Sequence, residues 1–479
     1  MAVTDVHAKT PRATPRHTLS RLVFWPRLGF ILLLTIVAYL PIFLDVVENA
    51  ADGSRNAYLV VVPALAAIVA HRYQSEPRGV GDAETDWIAA ILVATAGFIV
   101  IWLVTDRLPT TSNMWKLHLA AVVVWVACST SVMFGARYAS RMVALWLFLF
   151  VSVTPLPYLL VTARFGGSDT AAAILAAALG ATAVFLSGRA TVLKWRLGVT
   201  VACLVIGSAA AMALRDTTLL LTVVVVAGLI PVLSVIALYH FSMTVVRQRH
   251  VHVTVRYARR SWVSYTALGV IALTLLFANA SRVDFSKPIV FRADWIQRSG
   301  LTASTDFGFI TRFLGPSATL TRYPLDSEAG LPEAAIDVIS TPNTGALRDY
   351  ADAIWYPTTV PVIFAATELV GRVHVKVRVM HANADATTDG DDRDWYALTW
   401  LWRGPEVTQQ VTVVINQARL DRQPPPEPRP MSFRNQMIEP LLWIPRQQWD
   451  SVGVVDELVV RRAENIAQTL LSAGNATDG

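Results

Sequence analysis

The sequence predicts an all-α polytopic membrane bundle of about nine transmembrane helices, followed by an α+β extracytoplasmic domain. Three observations carry this. Of 479 residues, 54% are hydrophobic and only 16% charged, against roughly 25% charged in a soluble globular chain. The charge is also split along the chain: residues 1–282 hold 23 of the 41 basic but only 11 of the 35 acidic side chains, and residues 283–479 hold the remaining 18 and 24. Finally, the pattern changes at that boundary from long apolar runs to short alternating ones. The domain division is therefore a basic cytoplasmic tail at 1–27, a transmembrane helical domain at 28–282 and the α+β domain at 283–479. The basic excess belongs to loops beside a membrane, so the composition gives no reason to expect nucleic acid as a partner.

A hydrocarbon core about 30 Å thick needs roughly 20 apolar residues per helix. Nine segments qualify: 28–47, 57–71, 87–105, 115–134, 142–162, 169–188, 197–214, 217–241 and 262–280. The second is short, fitting a tilted or half-inserted helix. With the N-terminus cytoplasmic, the inner segments carry 17 basic residues and the outer ones six, Arg55, Arg107, Lys116, Arg164, Arg215 and Arg282. That asymmetry follows the positive-inside rule and places the C-terminal domain outside a multi-pass plasma-membrane protein. The loop "RQRHVHVTVRYARR" (247–260) is its strongest inner anchor.

Along "DTAAAILAAALGATAVFLSG", Ala173, Ala177 and Ala181 recur every fourth residue, as do Ala176 and Gly180. The next segment repeats the device with Gly207 and Ala211. Small residues let helix backbones approach in lipid, so both segments are expected inside the bundle. Pro155 and Pro157 are expected to bend the fifth segment near its outer end.

In the polar half, 334–340, 367–382, 394–404 and 407–416 read as strands, and 345–355 and 455–474 as helices. Five aspartates in "ADATTDGDDRDW" lack the alternate spacing of a calcium loop, leaving a solvated turn. "RQPPPEPRP" (422–430) reads as a polyproline-type connector. Trp395, Tyr396, Trp400, Trp402, Trp443 and Trp449 supply core packing and a docking patch. There is no phosphate loop, metal-ligand spacing or serine triad, so no cofactor is expected. No span carries a central charge or matched helix breaks of the transporter kind.

Chemistry centres on the two cysteines, Cys128 and Cys203, both in apolar runs. "NAYLVVVPALAAIVAHRY" (56–73), "FLFVSVTPLPYLLVTARF" (148–165) and the run 170–208 that ends on the Cys203 helix follow one another in an order that resembles the exosortase/archaeosortase family of membrane cysteine transpeptidases. The resemblance covers about 150 residues. It implies a thiolate at Cys203 that attacks a peptide bond at a sorting signal, supported by a downstream arginine, here Arg247 with His240 and His250 nearby. Implied partners are sorting-signal proteins in the cell envelope. The family has Ser-Gly after its cysteine; here Leu204 and Val205 follow. That departure keeps a second expectation open: a non-catalytic membrane scaffold whose outer domain binds envelope or exopolysaccharide-export partners. Asp45, Glu48, Asp106, Arg107, His118, Arg164, Asp169, Arg215 and Asp216 form a polar set at the outer span ends, where water is available.

Overall fold

Proline and segment length decide how the apolar half folds. The computed structural model describes residues 17–71, 73, 83–245, 261–280, 289–325, 330–358, 362–369, 375–382, 395–417, 424–443 and 455–474. Arg247, His250 and the loop 247–260 lie outside the described residues, as do most of the aspartate-rich turn and Trp449. The first apolar segment is two helices, α1 (His17–Ala38) and α2 (Leu40–Ala51), bent by 76° at Tyr39 with Pro41 in the first turn of α2. A 3₁₀ turn, Arg55–Val60, leads into α3 (Val62–His71), too short to span. There follow α4 (Ala83–Arg107), α5 (Leu117–Phe134), and the pair α6 (Val143–Val153) and α7 (Pro155–Arg164), bent by 61° where Pro155 cannot donate its backbone N–H. Then come α8 (Asp169–Ser187), α9 (Leu193–Ala213), α10 (Leu219–His240) and α11 (Trp262–Ala280). Six helices are thus long and apolar enough to cross a membrane, or up to eight if each bent pair is one span. A lipid bilayer is the environment such helices require.

Small residues bury α8. Ala172, Ala173, Ala176, Ala177 and Ala183 are wholly inaccessible. A Cβ added at Gly180 would stand 2.5 Å from Pro231 Cγ, and one at Gly207 2.9 Å from Ala177 Cβ. Around Pro231, α10 carries a π segment at Val224–Leu229, a local widening of the kind that accommodates a missing donor. The expectation that α9 is buried like α8 is corrected. Only Cys203, Gly207 and Ala211 are buried along it, and Val201, Val205 and Ile206 face outward. Its small residues form one stripe rather than a whole surface.

The C-terminal region is α+β. Its strands are β1 (Ile289–Val290), β2 (Thr305–Asp306), β3 (Thr319–Pro324), β4 (Ala334–Thr341), β5 (Ile363–Leu369), β6 (Val375–Ala382), β7 (Trp395–Arg403) and β8 (Thr408–Asn416). The order β2-β3-β4-β8-β7-β6-β5 is antiparallel throughout, with β1 added parallel to the end of β7. The expected single strand at 367–382 is corrected to an antiparallel pair, because Leu369 of β5 faces Val375 of β6. The expected helix at 345–355 is shorter, α12 (Thr344–Asp349). One face of the sheet packs Ile336, Val338, Leu398, Trp400 and Val413 against Val459, Ala463, Ala467 and Leu470 of α13 (Glu457–Gly474).

The other face carries a polar row. Arg322, Asp337, Thr412, Thr399 and Arg378 are successive register partners across five strands. Arg322 grips Asp337 through two bonds of 2.7 Å and donates to the Pro425 and Pro426 carbonyls. Tyr356 donates its hydroxyl to Asp337 at 2.7 Å. Burial and the Asp337 charge push its phenol well above the ordinary range, so it remains a neutral donor. The polyproline connector thus closes the row by capping its arginine.

Candidate functional site

Cys203 sits on α9 in one cluster with Ala181, Val184 and Val235, with Ile68, Val199, Ile230 and Tyr239 around them. Its side chain is 1% exposed. The Ser234 hydroxyl beside it donates to the Ile230 carbonyl at 2.8 Å. A thiol becomes a thiolate beside a cation or a helix N-terminus, and Cys203 is mid-helix in this apolar shell. Its expected partner, Arg247, falls outside the described residues. Cys128 is buried on α5 and likewise carries a free thiol.

Polar groups converge elsewhere, where the helical bundle meets the sheet region. After α2 the chain must reverse, and Gly53 does so at φ +87°. Ser54 then caps the 3₁₀ turn by accepting from the Asn56 N–H at 3.0 Å. Asp349, the last residue of α12, collects this turn. It accepts from Ser54 Oγ at 2.6 Å, from the Arg55 backbone N–H at 2.7 Å and from Asn56 Nδ2 at 2.6 Å. The start of α12 docks equally closely. The Gly345 N–H donates to the Asp52 carbonyl, and a Cβ at Gly345 would lie 2.3 Å from the Ser54 nitrogen. Asn343 caps α12 through Ala346 while its Nδ2 donates to the Gly53 carbonyl at 3.0 Å. At the rim, Arg348 reaches Asn49 and Asp52, each at 3.1 Å.

Arg55 is the centre. Its side chain is 1% exposed and donates to the Phe313 carbonyl; its Nε lies 3.8 Å from Asp169 at the start of α8. Below it, the rings of Tyr58 and Tyr158 stand 4.2 Å apart, and Tyr158 donates to the Ala172 carbonyl at 2.5 Å. Tyr350 reaches the Leu159 carbonyl at 3.4 Å. Burial holds the Asp349 carboxyl above its ordinary value, opposed by Lys116, the Ser54 hydroxyl and Arg55. Burial likewise raises the Tyr350 phenol. Among the described residues, buried Arg55 Nε, Asn56 Oδ1 and Tyr58 Oη have no hydrogen-bond partner, and no cluster of three or more His, Cys, Asp or Glu side chains could hold a metal ion.

The arrangement holds two surfaces together: Ser54, Asn56 and the Arg55 backbone all donate to Asp349, and each of these residues is buried. It brings together residues of all three segments 56–73, 148–165 and 170–208, through Tyr58, Tyr158 and the Ala172 carbonyl, while Cys203 lies in a separate apolar cluster against which Ile68 of the first segment packs. Of the polar set at the span ends, Asp169 joins the cluster through Arg55, while Arg215 and Asp216 pair at 3.6 Å on an exposed turn. Sequence reading named Arg55 only as a loop charge and missed Ser54, Asn56 and Asp349. The available signal was "SRN", three polar residues between apolar runs. Comparison with models of known families, with curated proteins and with solved structures finds no match.

Proposed function

We propose that the chain is a non-catalytic, exosortase-like scaffold of the cell envelope, holding its α+β domain as a fixed platform on the extracytoplasmic face of the plasma membrane. The observation that carries this reading is the contrast between the two sites. The thiol that transpeptidation needs is packed among alanine and valine side chains, whereas a buried polar cluster joins the domain to the bundle. The 17-to-six distribution of basic residues supports a cytoplasmic N-terminus and nine membrane segments, counting α3 as a partly inserted one. The platform's partners, on this reading, are envelope proteins or exopolysaccharide-export machinery.

Transpeptidation through Cys203 and Arg247 is the competing reading, favoured by the meeting of segments 56–73 and 148–165 at the Tyr58–Tyr158 contact. Cys203→Ser in the native host separates the two. The scaffold reading expects processing of envelope proteins and the level of this protein to stay unchanged. Loss of processing at an unchanged protein level overturns it in favour of the thiol.

A further inference from the structure

Single exposed apolar side chains are ordinary on any protein surface; a cluster on one element is not. Among the described residues of the α+β region, seven large hydrophobics are exposed, and four of them, Phe433, Ile438, Leu441 and Leu442, fall within ten residues. They lie at the start and along the outward face of the helix formed by Arg434–Ile438 and Glu439–Trp443. The opposite face is buried: Gln436 is 8% exposed, and Met431 and Met437 pack beside Met114 and Trp115.

Those contacts fix the level of the helix. Trp115 donates its indole N–H to the Gln436 carbonyl at 3.2 Å. It stands in the connection between α4, which ends at Arg107, and α5, which begins at Leu117. Both are candidate spans, and one side of α4 is open, with Ile88, Ile91, Leu92, Ile99, Val100 and Trp102 exposed. The connection between two spans marks the edge of the bilayer. The helix therefore lies at the membrane–water boundary with apolar side chains uncovered. Arg434, 80% exposed and paired with Glu439 at 3.0 Å, stands among them, where a guanidinium can reach lipid phosphate while its stem stays in the apolar layer.

We infer that residues 433–443 form an interfacial helix whose Phe433, Ile438, Leu441 and Leu442 insert into the adjacent lipid leaflet, giving the α+β domain a membrane contact of its own. Amphipathic helices with an apolar face of this kind lie in the headgroup–acyl boundary. The inference rests on the membrane reading above but not on its orientation or on the fate of Cys203.

The test uses the full chain in lipid nanodiscs, labelled at single introduced cysteines with an environment-sensitive fluorophore; native Cys128 and Cys203 are buried, and unsubstituted protein measures their background. Ile438→Cys and Leu441→Cys report the helix, Ile91→Cys reports α4, and Arg461→Cys on α13 reports the far side of the sheet. Expected is blue-shifted emission at 438 and 441, lost when the lipids carry a nitroxide near the headgroup and retained with an aqueous quencher. The label at 461 shows the reverse. Quenching at 438 and 441 like that at 461 overturns the inference. So does protection from both quenchers, which identifies a protein contact instead. Lipid quenching at 91 shows that the membrane reading stands in either case; its absence would mean that the membrane reading itself has failed.

Discussion

Asp349 binds three donors from one turn, yet burial raises its carboxyl above the ordinary value near 3.8. The desolvation cost of the charge therefore exceeds what its partners return. The sign of the pH dependence follows. With the folded value raised, the folded protein holds the proton more tightly than the unfolded chain. Its stability falls as pH rises from about 3.8 through the folded value, by up to about 1.4 kcal/mol per pH unit, and is level above it. Asp349→Asn is expected to remove this component, so the difference between the two unfolding midpoints changes over that window and is constant on either side. Parallel curves throughout would contradict it. No such group was legible in the sequence. Arg55 and Asp349 are separated by 294 positions, and neither hydropathy nor local spacing links residues so far apart. What was legible at this scale was the isolation of Cys203 among apolar neighbours, because an apolar run on both sides of a thiol already describes its shell.

Helices and strands were the most readable level. Each of the nine apolar segments is helical, two of them as bent pairs, but the second is too short to cross a membrane, so six spans qualify, or eight with the bent pairs, rather than the expected nine. The errors have local causes. In the sequence, Val373, Val375, Val377 and Val379 alternate with His374, Lys376 and Arg378 without a turn signal, so period alone did not reveal the pair at Leu369 and Val375. Burial of α9 was overestimated because Gly207 and Ala211 mark only one stripe of it. That stripe gives a prediction: Gly207→Leu forces α9 off Ala177 and lowers stability by about 1–3 kcal/mol or more, whereas Gly198→Ala, with open space at its Cβ, does not. Equal melting of the two variants in detergent would refute the close approach. Within the sheet, Arg322→Ala leaves Asp337 buried at 2% exposure without its cation, an expected loss of about 3–5 kcal/mol. A triple change, Arg322→Met and Asp337→Leu with Tyr356→Phe to remove the hydroxyl that donates to Asp337, is expected to recover most of it. A triple variant no better than the single one would show that the arginine acts mainly by capping the Pro425 and Pro426 carbonyls.

At the scale of the whole molecule, the α+β region is tied to the bundle at several places, among them the Thr110 hydroxyl on the Val362 carbonyl at 2.8 Å and Leu156, Leu159 and Leu160 packed with Ile310, Phe313 and Leu314. One is the buried turn of Ser54, Arg55 and Asn56 on Asp349. Another is Trp115 on the 433–443 helix, beside Met431 and Met437. The division into an apolar basic half and a polar acidic half could be read from charge. Their union could not, since it depends on a glycine, Gly345, small enough to let α12 meet the backbone of Ser54. The proposed function makes these ties the basis of a fixed platform, and that rigidity is its central claim. It is tested most directly by electron-spin distance measurements on the full chain in nanodiscs, between a label on the exposed side of α4 at Ile91→Cys and one on α13 at Arg461→Cys. The account predicts one narrow distance distribution, broadened by Asp349→Ala. A broad distribution in the unaltered protein would contradict it.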